Sequence, residues 1–294
     1  MKLKLTLITA GLIGLVFVLA GSPVTPPSSA SPKKDFTLVP HKALYEINLV
    51  STKSGSQIVD VGGEMYYELT SGCDAWITNH RFQLRYDYID SPSVRVKSNF
   101  STYESHDGES FNFTSTRRRD GAVFEELKGQ AYLNPVPGSA GGGDRLGTGK
   151  AIYAQPEGLS FDLPDSTRFP MRHTLDLLAR AEEGEKFFNS VVFDGSDDEG
   201  PVSINAFIGP TVNAMARVTT SPKIDVTLLN TAARTTRLAF FPVDQTGLAP
   251  DYEMEMIIHD NGVVSDMLVE YDTFSVTQKL VALEKLPADT CSGE

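Results

Sequence analysis

Arg81-Phe82-Gln83-Leu84-Arg85-Tyr86-Asp87-Tyr88 alternates polar and apolar side chains without a break. Successive side chains of a strand point to opposite faces, so this stretch reads as a strand with one wet face and one buried face. The pattern spreads outward from there. Val94-Arg95-Val96-Lys97-Ser98-Asn99-Phe100 alternates in the same way, and Phe111 and Phe113 continue the period between polar neighbours. Asp107-Gly108, Asp120-Gly121 and Asn261-Gly262 are dipeptides that accept positive φ and so close tight hairpins. Three runs near 94–105, 109–118 and 122–133 therefore read as an up-and-down meander. The second half returns to the same period. Strands are expected at Phe187–Phe193 and Val202–Ile208 around the polar turn Asp194–Gly200. A hairpin of Tyr252–Ile258 with Val263–Phe274 follows, and a last run at Val276–Leu286. The expected fold class is mainly β, with antiparallel strands.

Two segments break the period. Phe169-Pro170 opens a helix over Met171–Glu183, in which Met171, Leu175, Leu178 and Ala181 share a face and Gly184 is the stop. This helix is expected to cross the sheet or plug one end of a barrel, with His173 as a surface or packing residue. Residues 134–150, with Pro135, Pro137 and Gly141-Gly142-Gly143, read as a loop, either an excursion within one domain or a boundary between two; the former is preferred.

The N-terminus belongs to export rather than to the fold. Lys2 and Lys4 precede an uncharged apolar run from Leu5 to Ala20. Both Val18-Leu19-Ala20 and Ser28-Ser29-Ala30 end in the small-x-small pattern of a signal-peptidase site. Ser22 stands where a lipoprotein box would need Cys. Residues 1–30 are thus expected to be a signal peptide and Pro/Ser-rich leader, cleaved after Ala20 or Ala30. Residues 31–294 then form one periplasmic domain with no stable membrane insertion. The net charge of −12 repels phosphate backbones and excludes nucleic acid as a natural partner. Arg117-Arg118-Arg119 is the one dense basic run, expected at a solvated hairpin tip. The chain has two cysteines, Cys73 and Cys291. An exported protein usually pairs an even set, and such a bond would tie the C-terminal tail to an early strand.

Motifs that carry chemistry are missing. Around Gly141–Lys150 a phosphate loop would need Gly at 144 and Ser or Thr at 151, where Asp144 and Ala151 stand. An EF-hand register from Asp194 places Glu199 and Asn205 where Gly and Glu belong. His41, His80, His106, His173 and His259 form no paired metal motif, and no GxSxG elbow is present. Trp76 is expected to pack beside the bond made by Cys73. The reading is of a non-enzyme without metal or cofactor.

Several segments, in order, resemble the EipB-like family of cell-envelope integrity proteins of alphaproteobacteria. They are Val39-Pro40-His41-Lys42-Ala43-Leu44-Tyr45, Cys73-Asp74-Ala75-Trp76, Phe169-Pro170-Met171-Arg172-His173-Thr174-Leu175, Val192-Phe193-Asp194-Gly195-Ser196-Asp197, Asp260-Asn261-Gly262-Val263-Val264-Ser265-Asp266 and Leu286-Pro287-Ala288-Asp289-Thr290-Cys291. Ala75 departs from the Gly expected there. The resemblance implies an open, spiral-like β-barrel in the periplasm and a Cys73–Cys291 disulfide. It also implies a part in the outer-membrane barrier and in surviving envelope stress, without catalytic residues, and a periplasmic tetratricopeptide-repeat protein as a partner. A concave, aromatic-rich face for an envelope lipid or peptide ligand is the first expectation. A lipid or lipoprotein carrier, which needs an apolar cavity, is the second, and an envelope-polymer hydrolase the third.

Overall fold

The computed structural model describes residues 36–135, 146–219, 221–243 and 249–288. The sheet grows in two directions from β1 (His41–Thr52), which pairs antiparallel with β2 (Ile58–Ser71) and with the last strand, β14 (Phe274–Lys285). From β2 it runs forward through β3 (Ala75–Tyr88), β4 (Val94–Ser105), β5 (Ser110–Arg119), β6 (Ala122–Pro135), β7 (Leu146–Gln155) and β8 (Ser160–Leu163). From β14 it runs back through β13 (Val264–Tyr271), β12 (Tyr252–His259), β11 (Ala233–Pro242), β10 (Val202–Val212) and β9 (Phe187–Val192). The result is one sheet of 14 antiparallel strands that does not close, with β8 and β9 at its two ends. The chain between those ends holds the α-helix, α1 (Pro170–Glu182). Two short 3-10 turns, Ala214–Ala216 and Val226–Leu229, complete the helical structure among the described residues.

The sheet curls so that its inner face packs on itself. Met65 and Leu69 of β2 share a core with Ile204 and Ile208 of β10, although five strands lie between them in the sheet. The alternation that defines β3 is met: Arg81, Gln83 and Arg85 are exposed, while Phe82, Leu84 and Tyr86 pack on that core. Hairpin chemistry is met too, with positive φ at Gly108, Asp120, Gly121 and Gly262. Gly63 is required for a different reason: a Cβ there would run into the backbone carbonyl of Gln83 on the neighbouring strand.

Some boundaries differ from the sequence reading. Residues 146–150 belong to β7, because the alternating Leu146–Gln155 segment pairs with β6; residues 136–145 lie outside the described residues. The expected strand Val263–Phe274 stops at Tyr271, since the turn at Asp272-Thr273 hands the chain to β14. Arg117 is not a free hairpin-tip cation. Its guanidinium donates to the Ser196 carbonyl at 2.7 Å and pairs with Glu125 at 2.7 Å, clamping the 194–200 turn onto β5.

A second core lies under β5–β8. Phe111, Phe113 and Tyr153 meet Phe169 and Phe193, which flank α1 and β9. Phe111 stacks on Phe169 with centroids 5.0 Å apart, and Phe113 meets Phe193 edge-on at 5.7 Å.

Candidate functional site

Helix α1 begins without a local cap, because Phe169 supplies no side-chain acceptor and Pro170 occupies the first turn. The missing acceptor comes from β4. Both carboxyl oxygens of Glu104 take the backbone N–H groups of Met171 and Arg172, each at 2.7 Å. Glu104 is 1% exposed, and this burial pushes its pKa up to about 8 against the pull of the two N–H groups. At the other end Gly184, at φ 82°, turns the chain out of the helix. Glu104 thus fixes the helix start against the sheet, and with it the face that α1 turns inward.

That face carries Met171, His173, Thr174 and Leu177, and beneath it lies a cavity of about 290 Å³. The opposite wall is the inner face of the sheet. Gln278, Met267 and Met256 lie in register across β14, β13 and β12, and Met65 and Met254 extend the same surface. Five of the chain's seven methionines line this one space. The thioether chain is unbranched and polarisable, so such a wall can reshape around an apolar guest. Among the described residues no Lys, Arg, Asp or Glu lines the cavity.

Its histidines are neutral. Burial lowers His41 and takes His80 and His173 down to about 4. His41 Nδ1 lies 2.7 Å from the Val39 carbonyl, an acceptor, so the neutral ring carries its proton on Nδ1. Tyr45 donates its hydroxyl to the Val264 carbonyl at 2.7 Å, and Thr174 donates to the Pro170 carbonyl at 2.9 Å. Chemically the arrangement is a neutral, largely apolar pocket with a few polar groups, of the size and kind that holds part of a small ligand. It is roughly twice the volume of an apolar cavity that takes up benzene.

The sequence-predicted residues fall elsewhere. Cys73 sits in the exposed turn between β2 and β3, where Gly72 N–H donates to the Ala75 carbonyl at 2.8 Å. Cys291 lies outside the described residues, as do residues 1–35 with both cleavage sites. Trp76 packs edge-on against His106 with centroids 4.4 Å apart. Of the two expected places for His173, surface or packing, the structure gives packing: the buried stripe of α1 is His173, Leu177, Leu178 and Ala181, which keeps Leu178 and Ala181 of the expected stripe and puts His173 and Leu177 in place of Met171 and Leu175. The concave face carries aromatic side chains as expected, Tyr45, Tyr67 and Phe82 beside three histidines, and five methionines share the lining with them. A signal was available in Tyr252-Glu253-Met254-Glu255-Met256, whose period of two puts both methionines on the inner face. Among the described residues no group of three or more His, Cys, Asp or Glu is placed to hold a metal ion, and no helix is long and apolar enough to cross a membrane.

The model of the EipB-like family matches residues 32–287. The chain is 29% identical over 260 residues to the cell envelope integrity protein EipB of Brucella abortus (strain 2308), covering 87% of each chain. A crystal structure of a beta-barrel-like protein from Brucella abortus, described as a domain of unknown function, superposes with a TM-score of 0.73 at 27% identity. The match covers 86% of this chain and all of that one.

Proposed function

The chain belongs to the EipB-like family, and from that premise we propose that it maintains the outer-membrane barrier as a non-catalytic periplasmic binding protein. The aliphatic part of an envelope component enters the cavity beneath α1. The observation that carries this reading is the lining: methionine-rich, uncharged and unfilled by the protein's own rings. The name of the Brucella relative supports the envelope half of it. A lipid or lipoprotein carrier is the second form of the same reading, differing in that the guest is handed on. The cavity favours both over a hydrolase, which would need converging acids or a nucleophile with its base.

In this account residues 1–30 are removed on export and residues 31–294 do the work. A Cys73–Cys291 bond holds the tail to the β2–β3 turn, and a periplasmic tetratricopeptide-repeat protein is the partner implied by family resemblance.

The test is survival of a deletion strain on a membrane-disrupting detergent. Deletion sensitises the cells, the wild-type chain restores resistance, and Thr174→Trp, which fills the cavity from the helix side, folds and does not restore it. Rescue by Thr174→Trp would remove the cavity from the account. A deletion strain with an intact barrier would remove the envelope role itself.

A further inference from the structure

The cavity is apolar in its walls but not matched in its polar groups. His173 and Gln278 are 6% and 7% exposed, and His173 Nε2 and Gln278 Oε1 have no hydrogen-bond partner among the described residues. Buried polar atoms are nearly always partnered, and each one left bare costs desolvation without return. His173 comes from the helix wall and Gln278 from the sheet wall, beside Met267 in register. Both side chains line the same apolar space, one from each wall, while the two bare atoms are themselves covered by the lining and reach the space only when the adaptable wall shifts or the amide turns over.

We propose that the cavity selects an uncharged aliphatic chain bearing a hydroxyl group, whose hydroxyl is matched by the Gln278 amide and the His173 imidazole. A hydroxyl both donates and accepts, so it meets a neutral imidazole in either tautomer and a primary amide in either orientation. Among the described residues that line the space, a buried carboxylate or phosphate would find no cation and an ammonium no carboxylate. The chemistry thus singles out a neutral lipid body with a hydroxyl among its methylenes; any charged head must remain outside. This selection rests on the cavity being a binding site at all.

The test titrates the purified mature protein at pH 7.5 with 1-decanol, decyl methyl ether and decanoate. The ether keeps an acceptor oxygen but lacks the donor. Decanol binds about tenfold tighter than the ether, the worth of one well-made hydrogen bond, and decanoate binds more weakly than either. In His173→Leu/Gln278→Leu the alcohol and the ether bind alike, with the ether retained. Gln278→Leu alone, apolar and of similar length, carries the same comparison if the double variant does not fold. Equal binding of alcohol and ether by the wild-type chain overturns the hydroxyl selection, as does a preference that survives both substitutions, or decanoate as the tightest ligand. Failure of all three chains to bind overturns the binding site itself, and with it the reading on which this selection rests.

Discussion

Two cores share one sheet and treat space in opposite ways. Under β5–β8 the rings of Phe111, Phe113, Tyr153, Phe169 and Phe193 fill the interior, and glycines are fitted to them. A Cβ at Gly129 or Gly195 would run into the Phe113 ring. Under α1 five methionines surround a cavity of about 290 Å³ that they do not fill. Rigid rings with two torsions fix one packing arrangement, and the facing glycines leave no freedom to relax. Flexible thioethers keep a surface that can repack around a guest. The same fold thus carries a smaller aromatic core and, within its larger core, a cavity that the surrounding side chains leave open. Phe169 and His173, four residues apart at the start of α1, belong one to each.

The sharpest way to break this contrast is Phe113→Ala. Removing the ring on which Gly129 and Gly195 are moulded leaves a void that those backbones cannot fill, and should cost about 3–5 kcal/mol in chemical denaturation. A loss below about 1 kcal/mol would mean that the aromatic core is loose and the contrast false.

Acid should separate the two cores next. His80 and His173 at the cavity, and His259 on β12, are held down from 6.5 to about 4 by burial. The folded state therefore binds fewer protons than the unfolded chain between those values. Their contribution is complete above pH 6.5 and is lost as pH falls toward 4. Glu104 acts in the other direction. Raised from 4.5 to about 8, it retains a proton that the unfolded chain releases, so its contribution is present below pH 4.5 and lost as pH rises toward 8. Hydrogen exchange at pH 5 should show β12 and α1 losing protection before β5–β7, and Glu104→Gln should flatten the alkaline slope of stability. Uniform loss of protection across the sheet would contradict the first expectation. An unchanged slope in the variant would contradict the second.

The smallest effect belongs to Met256→Leu. A volume-conserving change in an adaptable wall should cost less than about 1.5 kcal/mol in the same denaturation experiment, well under the Phe113→Ala loss.

Much of the architecture was legible because a period of two is a local property. Arg81–Tyr88 and Val94–Phe100 declare their faces, and Asp120-Gly121 and Asn261-Gly262 declare their turns. Residues 146–150 were not legible as a strand because they follow directly on the loop signals Pro135, Pro137 and Gly141-Gly142-Gly143. In the sheet Gly149 is needed because a Cβ there would run into the Tyr132 carbonyl. The cavity was not legible, since its walls come from strands far apart in the chain and only curling of the sheet brings Met65 to Met256. Glu104 was hidden for the same reason: it caps a helix that begins 66 positions later at Pro170. The uncapped Phe169-Pro170 start signals only that an acceptor must arrive from elsewhere.

The most direct measurement is methyl NMR of the mature protein labelled at its methionine ε-methyl groups, titrated with 1-decanol. Met65, Met171, Met254, Met256 and Met267 line the cavity, whereas Met215, in the Ala214–Ala216 turn, does not. The account predicts that the five cavity signals shift together along one saturable curve while Met215 stays in place. Five unmoved signals, or a shift confined to Met215, would contradict the claim that the space beneath α1 is where this protein binds.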